Sequence, residues 1–465
     1  MLRDYQQKAV DKLSAAMREH GSAILTLATG AGKSYIAGHI VRKCHGANLR
    51  IWILCHKMTI LKQLVDVCSV PCSQIVAGKK TVDSPVIFGM MLTLVNRLDS
   101  LPAPDYIIID ESHRVSRSGT YSKILDHCYR YNPKMKLIGL TASPQRTDGE
   151  GLKSYYKTLV EGVSMRWLVD NGYLSPVKMY APEGLVKFVT KNGDYSHEEQ
   201  EDHSRTIHAN IMKWHADKIG HKPCLVACCN IKHCEDMAER YRAEGYTAEA
   251  VQGGKKHEKH LTETLKRLES GSLSVCCFCQ VISEGVSVDN IQAIVFLRRT
   301  KSLIFYLQSI GRGLRYQEGK TLTVLDFVGN CVEFGSPLVE RKWSLEDKDK
   351  RPATVADVTT LCGRCFGTFD GQPSICPCCG EDLDLQRLAN ANELTLKELN
   401  GQLALLPEDY IGEAMALLKQ QDKMRRLNRV RYLVHKDGDT PQTQALATLM
   451  KYKKGFVKNI LNRQR

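Results

Sequence analysis

Two short strings carry most of the chemistry legible in this chain. Leu27–Ser34 reads LATGAGKS, and Asp110–His113 reads DESH directly after the apolar run Tyr106–Ile109. In the first string, Gly30 and Gly32 let backbone N–H groups wrap closely around a phosphate, and a helix beginning near Lys33 adds its positive end. Lys33 would reach the β- and γ-phosphates, and Ser34 would ligate Mg²⁺. The strict form of the pattern has a glycine where Leu27 stands. In the second string, Asp110 is suited to hold the same Mg²⁺, and Glu111 to orient or deprotonate an attacking water. The pair predicts binding and hydrolysis of a nucleoside triphosphate, with ATP and Mg²⁺ as cofactors.

A third cluster is of a different kind. Cys362 and Cys365 form one CxxC pair, and Cys376 and Cys379 form another within the string CPCCG. Two such pairs close together suit tetrahedral Zn²⁺, with Cys378 as the spare thiol. Four thiolates leave no open position, so the zinc would be structural. The other thirteen cysteines precede residue 332 and are scattered through strand-like runs. They read as small buried hydrophobes in a reducing compartment, which points to the cytoplasm.

The chemistry needs elements that hold it. Residues 1–20 read as an amphipathic helix, Ala23–Ala28 as a strand, and a helix should follow from Lys33. Arg50–Cys55, Val86–Phe88, Tyr106–Ile109 and Leu137–Leu140 are further short apolar runs, alternating with helical stretches. That alternation predicts a parallel sheet with helices on both faces, and puts Asp110 and Glu111 at the ligand-binding end of a strand. A second series begins near Lys178: Cys224–Cys228, Thr247–Val251, Val275–Phe278, Ala293–Phe296 and Thr321–Asp326. The fold class is therefore α/β, with two parallel-sheet domains at 1–165 and 178–340. A zinc ribbon at 358–385 and a basic helical segment at 386–465 would follow. Val189–His203 is dense in charge and reads as a loop or lid whose His197 and His203 have no metal role. Residues 341–357 read as a charged linker, and Pro441 with the turn at Asp437–Asp439 should break the C-terminal segment.

At 465 residues the chain is too long for one core. It contains no apolar run of membrane-spanning length, and its first residues, MLRDYQQKAV, lack the apolar stretch of an export signal. The net charge of +14 is uneven: residues 419–465 carry +10 of it. That tail favours a polyanionic partner.

With these motifs in hand, the chain resembles a superfamily 2 helicase of the DEAD/DEAH-box type, over residues 2 to about 328. Leu2–Gln6 resembles the adenine-reading segment of the RadD-like DNA helicases, which would put Arg3 and Gln6 on the base. Leu27–Ser34, including Thr29 and Ala31, matches motif I in its helicase form, which accounts for Leu27. Cys55-His56-Lys57 through Gln63 resembles motif Ia, Asp110–His113 is motif II with His113 as a catalytic-site member, and Thr141-Ala142-Ser143 resembles motif III. Val281–Asp289 resembles motif V, placing Gly285 by the nucleotide. The usual acid two residues after that glycine is Ser287, so Glu284 or Asp289 would have to serve the ribose. The string QSIGRGLR, Gln308–Arg315, matches motif VI.

The resemblance implies two RecA-like domains, with Arg312 and Arg315 reaching the γ-phosphate when the domains close. An arginine in that role is worth roughly 10³ to 10⁵ in rate. His56, Thr93, Asn230, Lys255 and Lys256 fall where the family meets nucleic acid, although Phe88–Thr93 has lost most of motif Ib's polar character. A zinc ribbon after the second domain is also similar to the RadD-like helicases, and phages encode related branch-migration motors. The implied function is ATP-dependent helicase or translocase action on single-stranded, forked or branched DNA in replication, recombination or repair. It would take place in a bacterial or phage-infected cytoplasm, alongside replication or recombination proteins and without a membrane. The alternatives are an RNA helicase, the motor of a restriction or defence complex, and a non-catalytic binding module on an ATPase fold.

Overall fold

The computed structural model describes residues 2–78, 82–146, 148–183, 186–191, 193–279, 288–347 and 359–384, and then 414, 415, 430, 433 and 440–450. The expectations on Glu284, Gly285 and Ser287, and those on most of the basic C-terminal segment, lie outside the described residues. Met1–Thr359 with Thr368–Gly371 forms one compact unit; Thr360–Gly367 with Gln372–Arg465 forms a second. No helix among the described residues is long and apolar enough to cross a membrane.

The first unit holds two parallel sheets. In the first lobe, helix α1 (Asp4–His20) precedes β1 (Ser22–Thr26), α2 (Lys33–Gly46), β2 (Ile51–Cys55) and α3 (Met58–Cys68). Next come β3 (Ser73–Ile75), β4 (Val86–Met90), α4 (Met91–Leu94), β5 (Tyr106–Asp110), α5 (Thr120–Tyr131), β6 (Lys136–Thr141), β7 (Thr158–Glu161) and α6 (Met165–Asp170). The strand order is β3-β4-β2-β5-β6-β1-β7, and every pairing is parallel. Strands covered on both faces read as unbroken apolar runs, and β1 and β2 are buried at every position. Helix α1 buries Tyr5, Ala9, Val10, Leu13 and Met17, a helical stripe, and ends on Gly21 at φ 73°. Truncating Leu13 would cost roughly 2–5 kcal/mol.

The second lobe contains β8 (Val177–Tyr180), the hairpin β9 (Thr190–Lys191) and β10 (Asp194–Tyr195), α7 (His197–Thr206) and α8 (His208–Lys218). It continues through β11 (Cys224–Ala227), α9 (Ile231–Ala243), β12 (Ala248–Ala250), α10 (Glu258–Ser270), β13 (Val275–Phe278), β14 (Ala293–Phe296), α11 (Leu303–Gly313), β15 (Leu322–Asp326) and α12 (Asn330–Phe334). Its sheet runs β12-β13-β11-β14-β15-β8, again parallel throughout.

Two expectations need correction. Val189–His203 is not a plain loop: it forms the hairpin and most of α7, because the Ser196 hydroxyl accepts from Glu199 N–H and the acids Glu198 and Glu199 occupy the first turn. His203 is part-buried and donates from Nε2 to the Phe327 carbonyl at 3.1 Å. The linker expected at 341–357 starts as packed structure, since Leu345 is 8% exposed in the core of the first lobe. Pro441 opens a helix, Pro441–Leu449, so an element boundary falls at the proline; the turn expected at Asp437–Asp439 lies outside the described residues. Proline at the first helical position lacks an N–H that would have no partner there anyway.

Candidate functional site: a cleft between two lobes

The loop from Leu27 to Gly32 leads from β1 into α2, which starts at Lys33. Gly30 and Gly32 sit at φ +88° and +81°, a left-handed conformation that favours glycine. A methyl group at Gly32 would run into the Gln6 side chain, so Gln6 is packed directly against the cradle. Its Nε2 donates to the Ala31 carbonyl at 2.9 Å, and its Oε1 accepts from Arg3 N–H at 3.0 Å. Tyr5 donates to the same Ala31 carbonyl at 3.1 Å. Thus Gln6 braces the loop here, while the Arg3 guanidinium lies 4.9 Å from the Tyr173 ring centre. The hydroxyl of Thr29 is buried with no hydrogen-bond partner among the described residues. A bound phosphate would supply one, so the cradle fits a nucleotide. Ser34 and Asp110 would then hold Mg²⁺, which lowers the cost of concentrating charge on the phosphates.

Asp110 ends β5, two strands from β1, with β6 between them. Register places Asp110 opposite Leu140 and Thr141 opposite Thr26, so carboxylate, β6 terminus and cradle lie in one row at the carboxyl ends. Glu111 adopts φ 51°, a left-handed backbone rare outside glycine, and is 9% exposed. Its Oε2 lies 3.3 Å from His113 Nδ1. The Thr141 hydroxyl gives its proton to the Ser143 carbonyl at 2.8 Å, so at 3.1 Å it can only accept from His113 Nδ1. That assigns the Nδ1–H tautomer and ties motif II to motif III. Gly139 is required beneath them, because a methyl group there would lie 2.6 Å from Ser112 Oγ and 2.8 Å from Tyr156 Cζ.

The opposite wall is α11. Ser302 caps it by accepting from Phe305 N–H, and Gln308 is buried within it. Gly311 faces the cradle so closely that a methyl group there would lie 2.6 Å from Thr29 Cβ. Arg312 follows it near the carboxyl end of the same helix. Arg315 lies past the helix end and pairs with Asp289.

The nucleic-acid candidates are dispersed. His56 follows β2 and Thr93 lies in α4; the pairing of Cys55 with Met90 makes these adjacent strand ends. Asn230 caps α9 by accepting from His233 N–H at 2.8 Å, and its amide donates to Glu201 Oε1 at 2.5 Å. Lys255 and Lys256 lie in a short 3₁₀ turn, where Lys256 is exposed.

In the second unit, Cys362, Cys365, Cys376 and Cys379 bring their Sγ atoms within 4.8 Å of one another. The Sγ–Sγ separations are 3.8 Å for Cys362–Cys379 and 3.6 Å for Cys365–Cys376. A tetrahedron with ~2.3 Å Zn–S bonds has edges of about 3.8 Å, whereas a disulfide needs about 2.05 Å. The two knuckles match: Phe366 N–H donates to Cys362 O at 2.8 Å and Gly380 N–H to Cys376 O at 2.9 Å. Donor set and spacing fit Zn²⁺, and Cys378 is exposed.

Sequence reasoning missed an aromatic group beside the cradle. Tyr5 packs edge-on to Tyr173 and Trp167, which stack on each other at 5.7 Å. It also missed Arg146, whose Nη1 donates to the carbonyls of His113 at 3.2 Å and Val115 at 2.7 Å. An arginine three residues after motif III was the available signal.

A phosphate cradle on one parallel-sheet lobe, faced across a cleft by an arginine-bearing helix of another, defines a two-domain RecA-like nucleoside triphosphatase. Comparison with known proteins narrows the class. The family described as "Type III restriction enzyme, res subunit" matches residues 1–146, and "Helicase conserved C-terminal domain" matches residues 206–317. A 51.5 kDa protein of a Lactococcus phage is 28% identical over 82% of this chain and 84% of its own length. The candidate ATP-dependent helicase IRC3 of Saccharomyces cerevisiae is 27% identical over 78% of this chain, which spans only 57% of that protein. A fragment of a candidate HsdR subunit of a type I restriction enzyme from Vibrio vulnificus shares the fold, with a TM-score of 0.58 at 21% identity, over 72% of this chain and 66% of that one. The chain belongs to superfamily 2, as an ATP-dependent helicase of the DEAD/DEAH-box type.

Proposed function

We propose that this protein uses ATP hydrolysis to translocate along DNA, opening or migrating forked and branched structures. The observation that carries the reading is the seating of Gly311 on Thr29, which makes the nucleotide site a shared wall of two lobes. Hydrolysis that needs both walls depends on lobe closure, and closure moves whatever the lobes grip. Within this reading, Lys33 holds the transferred phosphate, Glu111 orients the water, and Arg312 stabilises charge as it develops. The His113–Thr141 bond carries the state of that site to motif III. Two lobes that grip phosphates mostly would show weak sequence preference. The basic tail would add salt-sensitive affinity, and the four thiolates would hold one structural Zn²⁺. The restriction-subunit family matched by residues 1–146 favours DNA over RNA, and makes the motor of a restriction complex the second reading.

The test compares ATP turnover and strand separation on forked DNA, a four-way junction and matched RNA, with Lys33→Ala as control. Stimulation by the DNA substrates, abolished in Lys33→Ala, is expected. Stimulation by RNA alone would overturn the DNA assignment, and turnover surviving in Lys33→Ala would overturn the cradle.

A further inference from the structure

After α12 the chain leaves the second lobe and returns to the first. Its departure is clamped: Tyr306 donates to the Gly335 carbonyl at 2.9 Å, and the Arg341 guanidinium donates to the carbonyls of Phe334, Ser336 and Val339 at 2.8, 3.0 and 3.0 Å. Its arrival is clamped too. Leu345 enters the first lobe's core, and its carbonyl accepts from Leu152 N–H at 2.8 Å and Lys153 N–H at 3.0 Å. Asp347 Oδ1 accepts from Gly151 N–H at 2.8 Å, and Lys153 pairs with Glu346. The approach is backbone on backbone: a methyl group at Gly151 would lie 2.5 Å from the carbonyl carbon of Glu346 and 2.6 Å from Asp347 N. Between the clamps, the strap walls a cavity of about 360 Å³ together with Thr29 and Ala142.

Two features give this strap a mechanical meaning. It is short: the four peptide links from Arg341 to Leu345 reach at most about 14 Å, so the anchored parts of the two lobes cannot separate further without breaking a clamp. It is also wired to the hydrolysis site. Asp347 pairs with Arg117 at 3.0 Å, Arg117 N–H donates to Glu150 at 2.8 Å, and Glu150 lies 3.8 Å from Arg146. Arg146 holds the His113 and Val115 carbonyls, in the segment directly after Asp110 and Glu111.

We propose that residues 335–347 are a coupling strap, and that Asp347 and Arg146 are positioning residues through which the second lobe's position reaches the motif II segment. The bonds described for both run to residues between 113 and 151, outside the phosphate loop at 27–34. Releasing the strap should therefore leave nucleotide binding intact while weakening the response of hydrolysis to nucleic acid. The inference rests on the helicase reading above, and the experiment separates the two.

ATP turnover of the full chain is measured with and without forked DNA for wild type, Gly151→Ala, Asp347→Ala, and the conservative Asp347→Asn, which keeps an acceptor for Gly151 N–H and loses only the charge facing Arg117. Gly151→Ala and Asp347→Ala should keep DNA-free turnover and the KM for ATP. Their DNA-stimulated kcat should fall roughly three- to thirty-fold, the range expected for coupling residues. Asp347→Asn should retain more of the stimulation than Asp347→Ala, because the Gly151 anchor survives. Full stimulation in both alanine variants overturns the strap proposal, as does a proportional loss of basal and stimulated rates with a lowered Tm, which would mark a merely structural role. A wild-type chain that DNA does not stimulate overturns the functional reading itself.

Discussion

Gly311→Ala isolates the meeting of the two lobes. In an ordinary helix interior this change would stabilise by roughly 1 kcal/mol, because alanine is the better helix former. Here the added methyl would lie 2.6 Å from Thr29 Cβ and closer still to Thr29 Cγ2, well inside the 3.4 Å at which ordinary contact begins. Neither neighbour can yield cheaply. Thr29 belongs to the phosphate loop, and α11 is buried over most of its length. The lobes must therefore part by about 1 Å at this point, and Arg312 retreats with the helix. A misplacement of that size at a reacting centre costs about 10²-fold in rate. Steady-state ATP turnover at saturating nucleic acid should fall by about that factor, while each lobe stays folded by circular dichroism. Thr29→Ser removes the nearer atom, Cγ2, but leaves Cβ 2.6 Å from the added methyl, so adding it to Gly311→Ala should return only part of the loss. Gly311→Ala turnover within about threefold of wild type would refute the claim that this contact sets closure.

Glu111→Gln should retain nucleotide binding and lose roughly 10²- to 10⁴-fold in turnover, checked by equilibrium binding of a fluorescent ATP analogue beside a phosphate-release assay. The purified chain should hold one Zn²⁺ by elemental analysis; Cys376→Ser should lose it while keeping ATP turnover, since a closed four-thiolate site offers no position for chemistry. His215 makes stability depend on pH. It is fully buried, with Nε2 bonded to the Gly220 carbonyl and Nδ1 to the Tyr241 hydroxyl, and burial pushes its pKa down to about 4. A depressed pKa means the neutral form is the folded one, so its contribution is present above pH ~6.5 and lost as pH falls toward about 4. Urea titrations should show roughly 3 kcal/mol of pH-dependent loss over that window that is missing in His215→Leu; equal slopes in the two proteins would refute it.

Much of this molecule was readable from order and type alone. Unbroken apolar runs such as Ile107–Ile109 mark strands covered on both faces, and glycines ahead of Lys33 mark a loop turning into a helix. These signals are local, because backbone sterics and burial act on neighbouring residues. β3 and β7 escaped notice because they are short edge strands and lack such runs. α7 was hidden by its charge: only Gln200, Glu201 and Ser204 are buried along it, and the cap at Ser196 and contacts to the second lobe hold it.

The cysteine spacing and the phosphate cradle needed no partner to be recognised, since every group involved lies within a few residues of the next. The reverse holds for Gly311, Gly151 and Arg146. Gly311 meets Thr29, 282 positions away, and Asp347 meets Gly151 across 196. At such separations composition is silent, because what selects these residues is the closeness of a backbone folded against them from elsewhere. Sequence marked both candidate halves of the nucleotide site; only the tertiary structure decided that Gly311 meets Thr29, that Arg315 turns to Asp289, and that a stretch of charged residues is a tether.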